Sequence, residues 1–143
     1  MSRVGLVNMV IGFGVLFFAA ASGSFIAFDL TEGYLRDNTL LDSWQSVLMQ
    51  SSHGHTNLFA SIHILMGLTL PYTRLPFSWQ WVQTFCFFCG TMAMGPGMMA
   101  RAYAGPTDTL DPTGILVGVG LSLALLALLS HFAALSFRLV RTP

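Results

Sequence analysis

The sequence predicts an all-α, integral membrane four-helix bundle with a short interfacial helix in its first loop, and three observations carry that reading. Of 143 residues, 54% are hydrophobic and only 8% are charged, a balance far from that of a soluble domain. Four apolar stretches, at about 5–28, 51–71, 79–100 and 114–139, are each near or above the roughly 20 residues that a bilayer core requires. Arginines and aromatic residues collect at the ends of those stretches, as they do at membrane interfaces. The chain is short enough to be a single four-span unit, residues 1–143. Six arginines, no lysine and six acids give zero formal charge, which excludes a basic nucleic-acid surface.

The first span follows Arg3 and contains Gly12, Gly14, Ala19 to Ala21 and Gly23, small residues that let a neighbouring helix approach closely. Ala19-Ala20-Ala21 resembles a signal-peptide cleavage site, but the apolar run is too long for a signal core, so a retained span is expected. In the first loop Leu40, Leu41, Trp44, Val47 and Leu48 recur at helical spacing, with Thr39 and Asp42 as a capping box. They predict a short amphipathic helix at the outer interface. The second span is expected to end at Pro71, followed by a tight hairpin over 72–78. Gly95-Pro96-Gly97 should kink or end the third span, because proline removes a backbone donor and clashes with the preceding turn. Asp111-Pro112 reads as an N-cap and first helical position for the fourth span, which then shows Gly114 and Gly118 at Gly-x-x-x-Gly spacing.

Arginine counting sets the orientation. Arg3, Arg74, Arg138 and Arg141 lie on one side, while Arg36 and Arg101 lie on the other with all six acids. Both termini are therefore expected in the cytoplasm, in a membrane of the bacterial inner-membrane type. Tyr34, Trp44 and Tyr103 would mark the outer interface, and Tyr72, Trp79 and Trp81 the inner one.

The candidate site is the histidine cluster. His53, His55 and His63 fall within eleven residues, and His131 lies in the fourth span. An intramembrane imidazole is rare unless it ligates a metal or haem, relays a proton or bonds helices together. At about 1.5 Å per residue, His63 sits roughly 15 Å below His53, and His131 deeper still. His63 with His131 is therefore the closest pair for a bis-histidine haem. A haem with one protein ligand would use His53 or His55 instead. His53-Gly54-His55 also reads as a short metal-binding step, with Met49, Met92, Met94, Met98 and Met99 nearby to suit copper. Asn57, one turn below His53, could orient an imidazole, and Arg101 could bind a haem propionate beside Tyr103. Cys86 and Cys89 have no basic neighbour and no second pair, and read as small buried hydrophobes.

His55-Thr56-Asn57-Leu58 resembles the second helix of nitric oxide reductases and related haem–copper oxidases, in which a histidine opening that helix ligates low-spin haem b. Those catalytic subunits are far longer and carry further histidine ligands that this chain lacks. The four-span layout, with His53 followed by an apolar run to Leu70-Pro71 and with Gly33-Tyr34 in the first loop, is similar to styrene oxide isomerases. In that family the histidine ligates haem b, and the ferric iron acts as a Lewis acid on an epoxide. The active-site tyrosine would correspond to Tyr103, while Phe59 occupies the place of the family's asparagine.

Both resemblances imply haem b on the second span. The expected function is a haem b-binding membrane protein with a redox or electron-transfer role, in a homo-oligomer or with other membrane subunits. The rivals are a haem-dependent epoxide isomerase and a haem-free accessory subunit whose histidines only bond helices.

Overall fold

The computed structural model describes residues 2–36, 43–107, 109 and 111–141. Among them the chain is all-α: α1 (Arg3–Arg36), α2 (Trp44–Thr73), α3 (Phe77–Met92), a single π turn (Ala93–Gly97), α4 (Met98–Ala104) and α5 (Pro112–Arg141). The π turn joins α3 to α4 without a break, so the bundle has four rods. Two of them, α1 and α5, are long and apolar enough to cross a membrane.

The helices are not arranged equally. α1 lies along α2, α5 lies along α3, and α1 and α5 do not touch. α2 and the α3–α4 rod therefore form the middle of the bundle. That order matches composition: the flanking helices are almost purely apolar, while the central pair carries most of the buried polar groups. Large apolar side chains face outward, Phe17 and Phe18 at 69% and 72% exposed and Phe132 at 68%. Buried Phe59, Phe87, Met66, Met94 and Met98 form the core with Ala124 and Ala127 of α5.

Glycine sets the α1–α2 distance. A Cβ on Gly5 would come within 2.6 Å of the Gly67 carbonyl oxygen, and one on Gly12 within 2.7 Å of that of Ala60. The Gly67 carbonyl lies four residues before Pro71, which has no N–H to give it. The helix nonetheless runs on to Thr73, ending in left-handed Arg74 (φ 56°). The hairpin is correspondingly shorter than the sequence suggests. On the other side, a Cβ on Gly120 would strike Ala93, and one on Gly90 would strike Ala124.

Three expectations need correction. The interfacial helix is not separate in its described part: Trp44, Val47 and Leu48 open α2 and run straight into it, capped by Ser43, whose hydroxyl accepts from the Ser46 N–H at 3.2 Å. No proline lies between Trp44 and Leu70 to interrupt that helix. Thr39, Leu40, Leu41 and Asp42 lie outside the described residues. Pro96 does not end the third rod: a π turn over Ala93–Gly97 takes up the missing donor and α4 continues from it. Finally, Gly114 and Gly118 are not the packing face of α5. Gly118 has open space around it and Gly114 is approached by the Arg101 guanidinium and Asp111, while the close helix-to-helix contacts belong to Gly120 and Ala124.

Replacing Gly12 by valine should push α1 off α2 at the Ala60 carbonyl and cost about 1–3 kcal/mol, the usual range for overpacking. Thermal unfolding in mild detergent checks this, with Gly118→Val as the control expected to melt like the parent chain.

Candidate functional site

Each histidine finds a different environment. His63 is wholly buried in α2, and its Nδ1 lies 2.9 Å from Asn8 Oδ1 of α1. The proton position follows from the neighbours. The Thr84 hydroxyl donates to the Gln80 carbonyl at 2.8 Å, so it must accept from Asn8 Nδ2, at 2.7 Å. Asn8 Nδ2 also donates to the Val4 carbonyl at 3.1 Å. The amide oxygen is thereby fixed toward His63, whose Nδ1–H donates to it. The Nε2 lone pair is left buried without a partner. The ring stands edge-on to Phe87, with 4.7 Å between centroids, and both side chains are 0% exposed. That leaves no width for a porphyrin.

His131 belongs to a second network. The Thr69 hydroxyl lies 2.8 Å from His131 Nε2, which accepts its proton, and 2.7 Å from the Leu65 carbonyl oxygen. Ser130 donates to the Ala127 carbonyl and accepts from Gln83 Nε2, which turns Gln83 Oε1 toward His131 Nδ1 at 3.3 Å. Both ring nitrogens are occupied, so an iron there would first have to break a hydrogen bond. Adjacent Gln83 and Thr84 thus hold α3 to α5 and to α1 respectively. The two deep histidines sit in separate networks and do not converge on one site.

His53 faces α1. The atoms nearest a Cβ built on Gly23 are His53 Cε1, Nε2 and Nδ1, so the nitrogen-bearing edge of the ring is laid against that glycine. Asn57 Nδ2 donates to both the His53 carbonyl, at 3.2 Å, and Nε2, at 3.1 Å. The proton therefore sits on Nδ1, which is buried without an acceptor. Asn57 holds the His53 ring by occupying its Nε2 lone pair.

His55, two residues on and about 200° around the helix, looks the other way. Its Nδ1 lies 2.7 Å from the Ser51 carbonyl oxygen. A carbonyl only accepts, so Nδ1 carries the proton and Nε2 is the bare nitrogen. Nε2 has no partner among the described residues, and the ring is only half-buried. It lines a shallow depression with Ser51, Gly54 and Leu58, and a Cβ on Gly54 would meet nothing within 4 Å. An N–H held by a backbone carbonyl opposite a free lone pair is the arrangement of a metal-ligating histidine. Haem iron needs an available nitrogen, a fixed tautomer and a flat approach. Of the four histidines, His55 provides all three.

His53 and His55 therefore cannot share a metal, and among the described residues no three His, Cys, Asp or Glu side chains cluster to hold one. Met94 and Met98 are core, Met49 packs with Ile26 and Ala102 and lines a pocket between α1 and the start of α2, and Met92 and Met99 line the cavity that His53 borders. Cys86 packs on the core and Cys89 lines a groove beside α5; both are free thiols.

Arg101 is taken up by structure. Its guanidinium donates to Asp111 Oδ2 at 2.9 Å and lies 5.5 Å from the centre of the Trp44 ring. Asp111 caps α5, accepting from the Gly114 N–H at 2.6 Å and from the Thr113 hydroxyl. Sequence spacing identifies this N-cap, whereas its ion pair comes from the fold. Tyr103 is 64% exposed and lines none of the cavities described here.

A cavity of about 560 Å³ lies between α1, α2 and the α3–α4 rod, with His53 in its wall. Sequence reasoning missed it, and it missed Asn8, Thr69, Gln83, Thr84 and Ser130. The available signal was a polar residue amid an apolar span, such as Asn8, or adjacent polar residues such as Gln83-Thr84. Comparison with known protein families, with curated proteins and with solved structures finds no match.

Asn8→Ala should cost about 1–3 kcal/mol, because it leaves Thr84 and His63 short of a buried partner; a denaturation series against Asn8→Asp and wild type measures it. The Thr113 hydroxyl, followed by the Gly114 N–H, holds the Asp111 carboxyl down at about 2 from its ordinary 3.8. A depressed carboxylate pKa stabilises the fold above the ordinary value, and that contribution is lost as pH falls through the folded one. Melting temperature should accordingly decline between about pH 4 and pH 2, and Asp111→Asn should flatten that part of the curve.

Proposed function

We propose that this chain is a four-span integral membrane protein with both termini in the cytoplasm, holding haem b through His55 for a redox or electron-transfer role. The observation that carries this reading is the preset His55 imidazole, Nδ1–H on the Ser51 carbonyl and Nε2 presented outward. Membrane residence is supported by the outward-facing phenylalanines and by the length and apolarity of α1 and α5. Aromatic side chains also stand exposed at the ends of the rods: Tyr34 and Tyr103 at one level, Tyr72 and Trp79 at the other. Arg138 lies 5.2 Å from the Tyr72 ring centre and donates to its carbonyl, as expected at an inner interface.

Haem bound there would supply a one-electron couple. The chain's own contribution is positional. Ser51 fixes the tautomer, and Gly54 keeps a flat approach open in front of the ring. Leu58, 53% exposed, offers an apolar edge. The depression is shallow and walled on one side only, so a neighbouring copy or subunit must close it. This is why the reading includes an oligomer or a membrane complex.

His55→Ala should abolish the Soret band of protein purified with its pigment, whereas His53→Ala and His131→Ala should keep it. The reading fails if His55→Ala retains the full band or if the purified protein has none; the second outcome leaves a haem-free accessory subunit.

A further inference from the structure

The cavity beside His53 is a second site with chemistry of its own. It is bounded by α1, α2 and the stretch around Pro96, and encloses about 560 Å³, within the range of small-molecule sites. Its rim includes Phe18, 72% exposed, and Met92, 40% exposed. The mouth therefore opens sideways between α1 and the α3–α4 rod, on the apolar flank of the bundle rather than at its polar ends.

The polar groups in the wall all have the same sense. Ser22 donates its hydroxyl proton to the Ala19 carbonyl at 3.0 Å and Thr56 to that of Ser52 at 2.7 Å. Deeper in, Ser52 donates to the Gly95 carbonyl at 2.8 Å and Thr91 to the Phe87 carbonyl at 3.0 Å. Each hydroxyl proton is thus engaged by backbone, and what remains for a guest is oxygen lone pairs. The His53 N–H adds nothing, since it is buried against Gly23. Such a wall accepts hydrogen bonds and offers none. An uncharged guest that only accepts, such as a ketone, quinone or ether, gains no polar contact there, while a hydroxyl donor does. The Met92 and Met99 thioethers and the Phe18 ring complete the lining, and thioethers favour aromatic rings.

We infer that this cavity binds a lipid-soluble phenol or hydroquinone, entering from the membrane and donating its hydroxyl to the Ser22 and Thr56 oxygens. The inference rests on the four-span reading but not on haem at His55. Binding by protein without a Soret band separates the two, as does a Soret band without binding.

The test is equilibrium binding of decylhydroquinone to the full chain in lipid nanodiscs under anaerobic conditions, corrected for partition into empty nanodiscs. Decylbenzoquinone and the dimethyl ether of the hydroquinone serve as comparison probes. The hydroquinone should bind saturably, one per chain, and both comparison probes about tenfold more weakly, the ratio for one hydrogen bond. Thr56→Val should erase most of that difference. Ala100→Phe, at an exposed position on the cavity wall, should block all three probes without changing the melting temperature. Equal binding of the three probes would overturn the inference. So would hydroquinone binding that survives both substitutions, or no saturable binding at all.

Discussion

Polar groups between these helices have to be satisfied by other groups between these helices, because the outer faces are apolar and offer nothing to bond. That constraint explains the arrangement more fully than apolar packing does. Gln83 and Thr84 are neighbours in sequence and project about 100° apart on α3, so one reaches α5 and the other α1. Asn8 and His131 are the complementary groups on the flanking helices. The central place of α2 and α3 in the bundle follows, since they carry polar groups on more than one side. Facing outward, Asn8 would keep only the Val4 carbonyl of its own helix, and His131 would lose both of its partners.

Glycine makes these bonds possible by bringing backbones close enough for short side chains to span. Gly5 and Gly12 do so for α1 on α2, and Gly90 and Gly120 for α3 on α5. Proline then shapes what close packing leaves open. Pro96 forces a π turn, and the Ser52 hydroxyl donates to the Gly95 carbonyl of that turn from across the interface. The small residues of that turn do not fill the space toward α1, and the cavity lies there.

Four histidines with one intrinsic chemistry consequently have four roles. His63 and His131 bond helices together through networks whose proton positions are fixed by their neighbours. His53 is closed off by Asn57 and Gly23. His55 is the exception: its own helix backbone sets its tautomer, and no neighbouring helix covers its free nitrogen. A ring with the same residue name, two positions away, is made available or unavailable by which side of the helix faces α1.

The sequence by itself determined the number of rods, the extent of the apolar stretches, the Asp111-Pro112 cap and the existence of a histidine cluster. These are local properties, set by apolar runs, by proline's missing donor and by capping side chains. It placed the helix starts less well, because continuity from Trp44 into the second rod depends on the absence of an interruption rather than on any positive signal. Only the tertiary structure decided which glycines pack, which histidine keeps a free lone pair, and that Arg101 is engaged by Asp111. Those properties depend on the rotation of each helix about its axis and on which neighbour it meets. Small residues at helical spacing state that a close approach can occur on a face. They do not state which face finds a partner: Gly118 and Gly120 are two residues apart, and only Gly120 does.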